Sequence, residues 1–110
     1  MLDVGQGISA PYCAKILAHM GAEVIKVEPP EGDPLRQWGP FPNDKPDPEN
    51  SGMFLYLNAN KIGITLDLNQ DKDKEDLVRL VETSDLLIEN EGLLESFLPL
   101  DTISRHNSRL

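Results

Sequence analysis

The chain has 110 residues, enough for one small domain with a single core. With 39% hydrophobic and 26% charged residues, it has the composition of a globular protein and not of a disordered or fibrous one. Its net charge of −9 disfavours binding to DNA or RNA, because the chain repels polyphosphate. No apolar run approaches the ~20 residues of a membrane span, and no signal peptide is readable.

The first part of the chain predicts a strand, a helix and a second strand. Leu2–Val4 and Glu23–Val27 are the strands, and Pro11–Met20 is the helix between them. Pro11 suits a first helical turn, where its missing N–H costs nothing. Apolar residues recur at helical spacing along this segment, namely Tyr12, Cys13, Ile16, Leu17 and Met20. Cys13 is interpreted as a packed thiol on the inner or boundary face of this helix. Because it is the single cysteine, the chain has no internal disulfide, which fits a reducing cytoplasm, or a mitochondrial matrix if the source is eukaryotic.

Residues 29–51 differ in character from the rest of the sequence. They hold seven of the nine prolines, together with Gly32 and Gly39. Proline and glycine at this density predict a long irregular loop, and loops of such length in compact domains are usually functional or disordered.

The second half predicts a strand, a helix and a further strand. Ile62–Leu68 alternates in polarity, Gln70–Thr83 shows the helical period with acidic residues in its first turn, and Asp85–Glu89 holds a short apolar strand. Strands alternating with helices predict an α/β fold with one parallel sheet and right-handed crossovers. In such sheets ligands bind beyond the carboxyl ends of the strands.

A glycine motif, Gly5–Ala10, follows the first strand and opens the first helix. It matches G-x-G-x-x-A, and Glu28 ends the next strand near the position of a ribose-binding acid. Glycines at such a turn let a pyrophosphate approach the N–H groups of a helix N-terminus. The motif alone therefore leaves a non-catalytic dinucleotide-binding module as an alternative function.

Six separated blocks of sequence, in order, carry a family resemblance. They are Ala10–Cys13, Gly21–Pro30, Gly32–Arg36 with Trp38–Pro40, Asn58–Lys61, Thr65–Leu68 and Asp85–Asn90. Together they resemble the family III CoA-transferases, the group that includes formyl-CoA and carnitine CoA-transferases and the α-methylacyl-CoA racemases. The resemblance covers nearly all of this chain and the first part of the family's longer one, so residues 1–110 are expected to be a single partial domain, truncated at both ends.

The resemblance implies a Rossmann-like domain that binds coenzyme A along its strand ends, in an interlocked homodimer. It implies acyl-CoA and a carboxylic acid as substrates, no metal, and an aspartate that forms a mixed anhydride and then a CoA thioester. That aspartate is expected beyond Leu110, so this chain alone is expected to be inactive. The long loop around Trp38 favours a transferase over the racemase alternative.

The resemblance also carries over candidate CoA contacts, all of them at predicted strand ends. No catalytic residue is assigned within this chain. The candidates are Leu66, Asp67, Leu68 and Asn69 after the third strand, and Asn90, Glu91 and Gly92 after the fourth.

Overall fold

A four-stranded parallel sheet organises the fold in the computed structural model, which describes residues 1–90 and 92–110. The strands lie in the order β3-β2-β1-β4, and each of the three neighbouring pairs is parallel. The predicted α/β fold with a parallel sheet is confirmed. The strands are β1 (Leu2–Asp3), β2 (Ile25–Glu28), β3 (Ile62–Thr65) and β4 (Leu87–Ile88).

Two of the helices occupy the segments that the hydrophobic period indicates. Helix α1 spans Ser9–His19 and helix α3 spans Asp71–Thr83, each within two residues of its expected bounds. Helix α4 spans Leu100–His106.

A further short helix, α2, spans Gly52–Leu57, where the sequence shows only a compact apolar patch. Ser51 begins it: its hydroxyl accepts a hydrogen bond from the Phe54 N–H at 3.2 Å. The same hydroxyl lies 2.7 Å from the Leu35 carbonyl oxygen and 2.6 Å from that of Trp38. The start of α2 is therefore fixed to the preceding loop.

Strand β3 ends earlier than the alternating pattern of Ile62–Leu68 suggests. Its last paired residue is Thr65, opposite Glu28, and the Leu66 N–H still donates to the Glu28 carbonyl at 3.0 Å. Beyond that point the neighbouring strand has ended, so the chain turns into the loop that precedes α3.

The sheet is covered on both faces because inward side chains alternate along each strand. Val27 of β2 packs towards α3 and α4, whereas Val24, the residue before the start of β2, packs towards α1. The buried core on the α3 and α4 side consists of Leu2, Val27, Leu66, Leu77, Val81, Leu94, Leu98 and Ile103.

Helix α1 packs through small residues and not through its large apolar ones. Its buried positions are Ala10, Pro11, Ala14 and Ala18, which let the helix backbone approach the sheet closely. The larger side chains point outward: Tyr12 is 46% exposed, Ile16 45% and Met20 78%. The expectation of a packed Cys13 is wrong, since this residue lies on the exposed side.

The loop of residues 29–51 contains two 3-10 turns, Pro34–Gln37 and Pro42–Asp44. Leu35 anchors the first turn in a small core with Phe54 and Leu57 of α2. In the described part of the chain, no helix has the length and apolar character needed to cross a membrane.

Candidate functional site

A cavity of about 280 Å³ opens beyond the carboxyl ends of β1, β2 and β3. This is where a parallel α/β sheet binds its ligands. The cavity includes the four residues predicted after the third strand. Its lining residues are Val4, Gln6, Val27, Glu28, Pro29, Pro30, Glu31, Leu66, Asp67, Leu68, Asn69, Leu93, Leu94 and Phe97.

The residues after β3 form a fixed turn at the edge of this cavity. The Asp67 N–H donates to Asp73 Oδ2 at 2.7 Å, which ties the turn to the first turn of α3. Asp67 Oδ1 accepts from the Asn69 backbone N–H at 3.0 Å and from its Nδ2 at 3.1 Å. The bond from the Asn69 N–H is the main reason why the pKa of Asp67 lies below its ordinary value. Asp67 is therefore ionised at neutral pH.

The second predicted group is arranged differently. Asn90 and Gly92 are not among the residues that line the cavity, and Glu91 lies outside the described residues. Asn90 uses its side chain within the protein: Oδ1 accepts from the Gln6 N–H at 2.8 Å, and Nδ2 donates to the Gln6 carbonyl at 3.1 Å. Gly92 has a φ of +64°, which favours glycine at that position.

The glycine turn at residues 5–7 has its backbone N–H groups occupied by side chains. Besides the Gln6 N–H, the Gly5 N–H donates to Asp3 Oδ1 and the Gly7 N–H to Asp33 Oδ1, each at 3.2 Å. These are N–H groups that a pyrophosphate would need in a dinucleotide-binding turn. The geometry therefore counts against the dinucleotide-binding alternative.

Beneath that turn lies a buried ionic cluster, defined here as Asp3, Lys26, Asp33 and Lys61. Lys26 is 1% exposed; its Nζ donates to the Gly5 carbonyl and to Asp33 Oδ2, the latter at 3.1 Å. Lys61 Nζ donates to Asp3 Oδ2 at 2.7 Å and to the Pro11 carbonyl at 2.8 Å. Burial lowers the pKa of Lys61, and the bond to Asp3 offsets only part of this effect.

Sequence reasoning missed this cluster. The available signal was Lys26 itself, a charged residue in the middle of the apolar strand Val24–Val27, where a lysine is buried only with partners. The strand pattern could have marked it as a paired side chain, but it could not have named Asp33 as the partner.

Glu28, at the end of β2, binds Arg36 of the loop through two hydrogen bonds. Nε lies 2.6 Å from Oε2 and Nη2 lies 2.7 Å from Oε1. Burial acts to raise the pKa of Glu28, but the bonds from Arg36 and from the Asp33 N–H outweigh it, so the pKa is lowered. The bond to Glu28 raises the pKa of Arg36. This ion pair joins the loop of residues 29–51 to the end of β2.

The cavity is acidic and partly apolar. Its lining residues include the acids Glu31 and Asp67, and Glu28 with its charge paired to Arg36, but no lysine or arginine, while Gln6 and Asn69 supply neutral hydrogen-bonding groups. Within residues 1–90 and 92–110, no three His, Cys, Asp or Glu side chains are grouped to hold a metal ion. The cavity therefore suits a neutral or cationic portion of a ligand better than a phosphate.

A Rossmann-like α/β domain with a ligand cavity at its strand ends is the class that fold and site define. The sequence model of CoA-transferase family III matches residues 1–94, and the chain belongs to this family.

Curated relatives support the same assignment. Succinyl-CoA:mesaconate CoA-transferase from Haloarcula hispanica is 40% identical over 113 aligned residues, covering 100% of this chain and 28% of the relative. The BbsE subunit of succinyl-CoA:(R)-benzylsuccinate CoA-transferase from Thauera aromatica is 41% identical, covering 94% of this chain and 26% of the relative. The chain thus spans little more than a quarter of the length of these proteins.

Solved structures show the same fold. A CAIB/BAIF family protein from Brucella suis superposes with a TM-score of 0.82 at 30% identity, over 96% of this chain and 29% of that one. A hypothetical protein from Mycobacterium tuberculosis superposes with a TM-score of 0.81 at 30% identity, over 99% of this chain and 29% of the other.

Proposed function

We propose that this chain forms the CoA-binding part of an enzyme that transfers CoA between carboxylic acids. The observation that carries the proposal is the cavity at the strand ends, lined by Leu66–Asn69, in a chain of CoA-transferase family III. Acyl-CoA and a carboxylic acid are the proposed substrates, and an interlocked homodimer in the cytoplasm or a mitochondrial matrix is the proposed assembly.

The charge and size of the cavity indicate which part of CoA it takes. At about 280 Å³ it lies just below the ~300–1,000 Å³ usual for small-molecule sites, so it accommodates a portion of CoA. Its acidic lining disfavours the phosphates, and we therefore place a neutral portion inside. The contacts at Leu66–Asn69, Asn90 and Gly92 are proposed to use mainly backbone groups, because the Asn90 and Asp67 side chains are already hydrogen-bonded.

The proposed reaction divides one acyl transfer into simpler steps. An aspartate carboxylate attacks the acyl-CoA carbonyl and expels the CoA thiolate, which leaves a mixed anhydride. The thiolate then attacks the aspartyl carbonyl, giving an enzyme thioester and the first carboxylate product. The resemblance assigns that aspartate to a position beyond Leu110, so the 110 residues are proposed to supply binding and not the nucleophile.

Two alternatives differ in how the present observations bear on them. The racemases share the family, and the long loop of residues 29–51 favours the transferase. The dinucleotide-binding module is disfavoured because side chains occupy the N–H groups of Gly5, Gln6 and Gly7.

A titration of the chain with CoA, followed by amide chemical shifts, tests the proposal. Shift changes are expected to cluster at Leu66–Asn69, Asn90 and Gly92. Leu68→Trp should fill the cavity and abolish them, whereas the matched variant Leu86→Trp, at an exposed site, should retain them. Shifts confined to Gly5–Ala10 on addition of NAD, with none caused by CoA, would favour the dinucleotide alternative instead.

A further inference from the structure

We propose that Asn90 is a positioning residue that holds Gln6 at the cavity, and that the Gln6 side chain contacts the bound CoA. The inference rests on the proposed function and deepens it, since it assigns one contact and the group that places it. Neither role follows from the strand-end pattern: Gln6 lies outside the predicted contacts, and Asn90 is expected there only as a contact.

The geometry of the two residues carries the first part. Asn90 Oδ1 and Nδ2 bond the N–H and the carbonyl of Gln6, at 2.8 Å and 3.1 Å, across 84 positions of sequence. A side-chain amide offers one acceptor and two donors, so asparagine satisfies both backbone groups of one residue, whereas an ionised aspartate could satisfy only the N–H. The end of β4 thereby fixes the backbone on both sides of the Gln6 Cα atom.

The residues on either side of Gln6 are also fixed by hydrogen bonds. Lys26 donates to the Gly5 carbonyl, and Asp33 accepts from the Gly7 N–H. A Cβ atom on Gly5 would lie 2.2 Å from the Ala10 Cβ and 2.8 Å from Asn90 Oδ1. The turn therefore has one compact arrangement, and Asn90 is the partner that acts on Gln6 directly.

The chemistry of the cavity carries the second part. Gln6 lines it beside the acidic residues Glu28, Glu31 and Asp67. A carboxylate only accepts hydrogen bonds at neutral pH, whereas the Gln6 amide both donates and accepts. Gln6 thus matches the neutral amide and amino-base groups of CoA, which carry both donors and acceptors.

A double-mutant cycle on the full chain, with CoA as the titrant in calorimetry, tests the inference. Gln6→Ala and Asn90→Ala should each weaken binding by about three- to tenfold, the loss of one or two hydrogen bonds. Because Asn90 acts through Gln6, the double variant should bind no more weakly than Gln6→Ala alone. Additive losses would overturn the inference, since they would mean that the Asn90 side chain acts on CoA independently of Gln6.

Two further measurements keep the test decisive. Asn90→Asp preserves the shape of the side chain and one hydrogen-bond acceptor, so it replaces Asn90→Ala if that variant does not fold. The same non-additivity with Gln6→Ala is expected from it. Hydrogen exchange of the free chain reports on the positioning alone: removal of the Asn90 side chain should speed exchange at the Gln6 amide at least about tenfold and leave Val27 protected. Unchanged exchange at Gln6 would overturn the positioning role, whereas a wild-type chain that binds no CoA would instead refute the proposed function.

Discussion

Lys26 Nζ lies 3.1 Å from Asp33 Oδ2, and both side chains are buried. Lys26 also donates to the Gly5 carbonyl, and Asp33 accepts from the N–H groups of Gly7 and Leu35. One ion pair thus joins β2 to the glycine turn and to the proline-rich loop. Its weight in the fold is structural, because it sets the positions of two segments at the edge of the cavity.

Replacing Lys26 by methionine should strongly destabilise the chain. The variant keeps most of the side-chain volume but leaves Asp33 buried without its cation, which typically costs about 3–5 kcal/mol. Urea unfolding followed by circular dichroism measures the loss. Lys72→Met, at an exposed site on α3, is the control and should shift the free energy of unfolding by less than about 0.5 kcal/mol. Equal effects of the two substitutions would contradict the buried role of Lys26.

Gly5→Ala should displace the glycine turn. The added Cβ would lie 2.2 Å from the Ala10 Cβ, so the turn or α1 must move, at a cost of about 1–3 kcal/mol. The control is Gly63→Ala in β3, where a Cβ meets nothing within 4 Å and β propensity improves. Urea midpoints compare the two variants. A stable Gly5→Ala chain with unchanged amide shifts at Gln6 would show that the turn is not tightly packed.

Acidification should remove the contribution that Glu28 makes to the free energy of unfolding. Its folded pKa is lowered, so the stabilisation is fully present above the ordinary value of 4.5 and is lost as pH falls through the folded pKa below it. The urea midpoint of Glu28→Gln should therefore fall less steeply than that of the wild type below pH 4.5. Glu31→Gln, at an exposed neighbouring site, is the control for the loss of one carboxylate. Parallel curves for all three proteins would exclude the contribution of the Glu28–Arg36 pair.

Adjacent positions of α1 should respond in opposite ways to the same enlargement. Ala14 is fully buried against the sheet, so Ala14→Leu overpacks that contact and should cost about 1–3 kcal/mol. Cys13 is exposed, so Cys13→Leu should change the free energy of unfolding by less than about 0.5 kcal/mol. Thermal or urea unfolding measures both. A larger loss from Cys13→Leu than from Ala14→Leu would reverse the assigned orientation of the helix.

The sequence by itself determined the order of the four strands and of helices α1 and α3 along the chain, and the parallel sheet. β-branched runs bounded by turn residues marked β2 and β3, and the period of Leu77, Leu80 and Val81 marked α3. The strand ends indicated where a ligand cavity lies, because parallel strands end at one edge of a sheet. Leu66–Asn69 do line that cavity.

Tertiary structure decided which face of α1 packs. Its large apolar stripe predicts a buried face, yet the helix packs through Ala10, Ala14 and Ala18. Spacing alone does not distinguish the two faces, because a stripe of small residues can bury a helix as well as a stripe of large ones. In the folded chain the alanines face the sheet, and Ala14 and Ala18 pack with Val24.

Tertiary structure also decided the roles of the polar residues. Lys26, Asp33 and Asn90 lie 21, 26 and 84 positions from the residues of the glycine turn that they bond, and only the folded chain brings their side chains around residues 5–7. The residue type determines which hydrogen bonds a side chain can form, but its position in the fold determines its partner. The sequence could therefore place Asn90 at the strand edge, while the folded chain alone shows that its amide is bonded to Gln6.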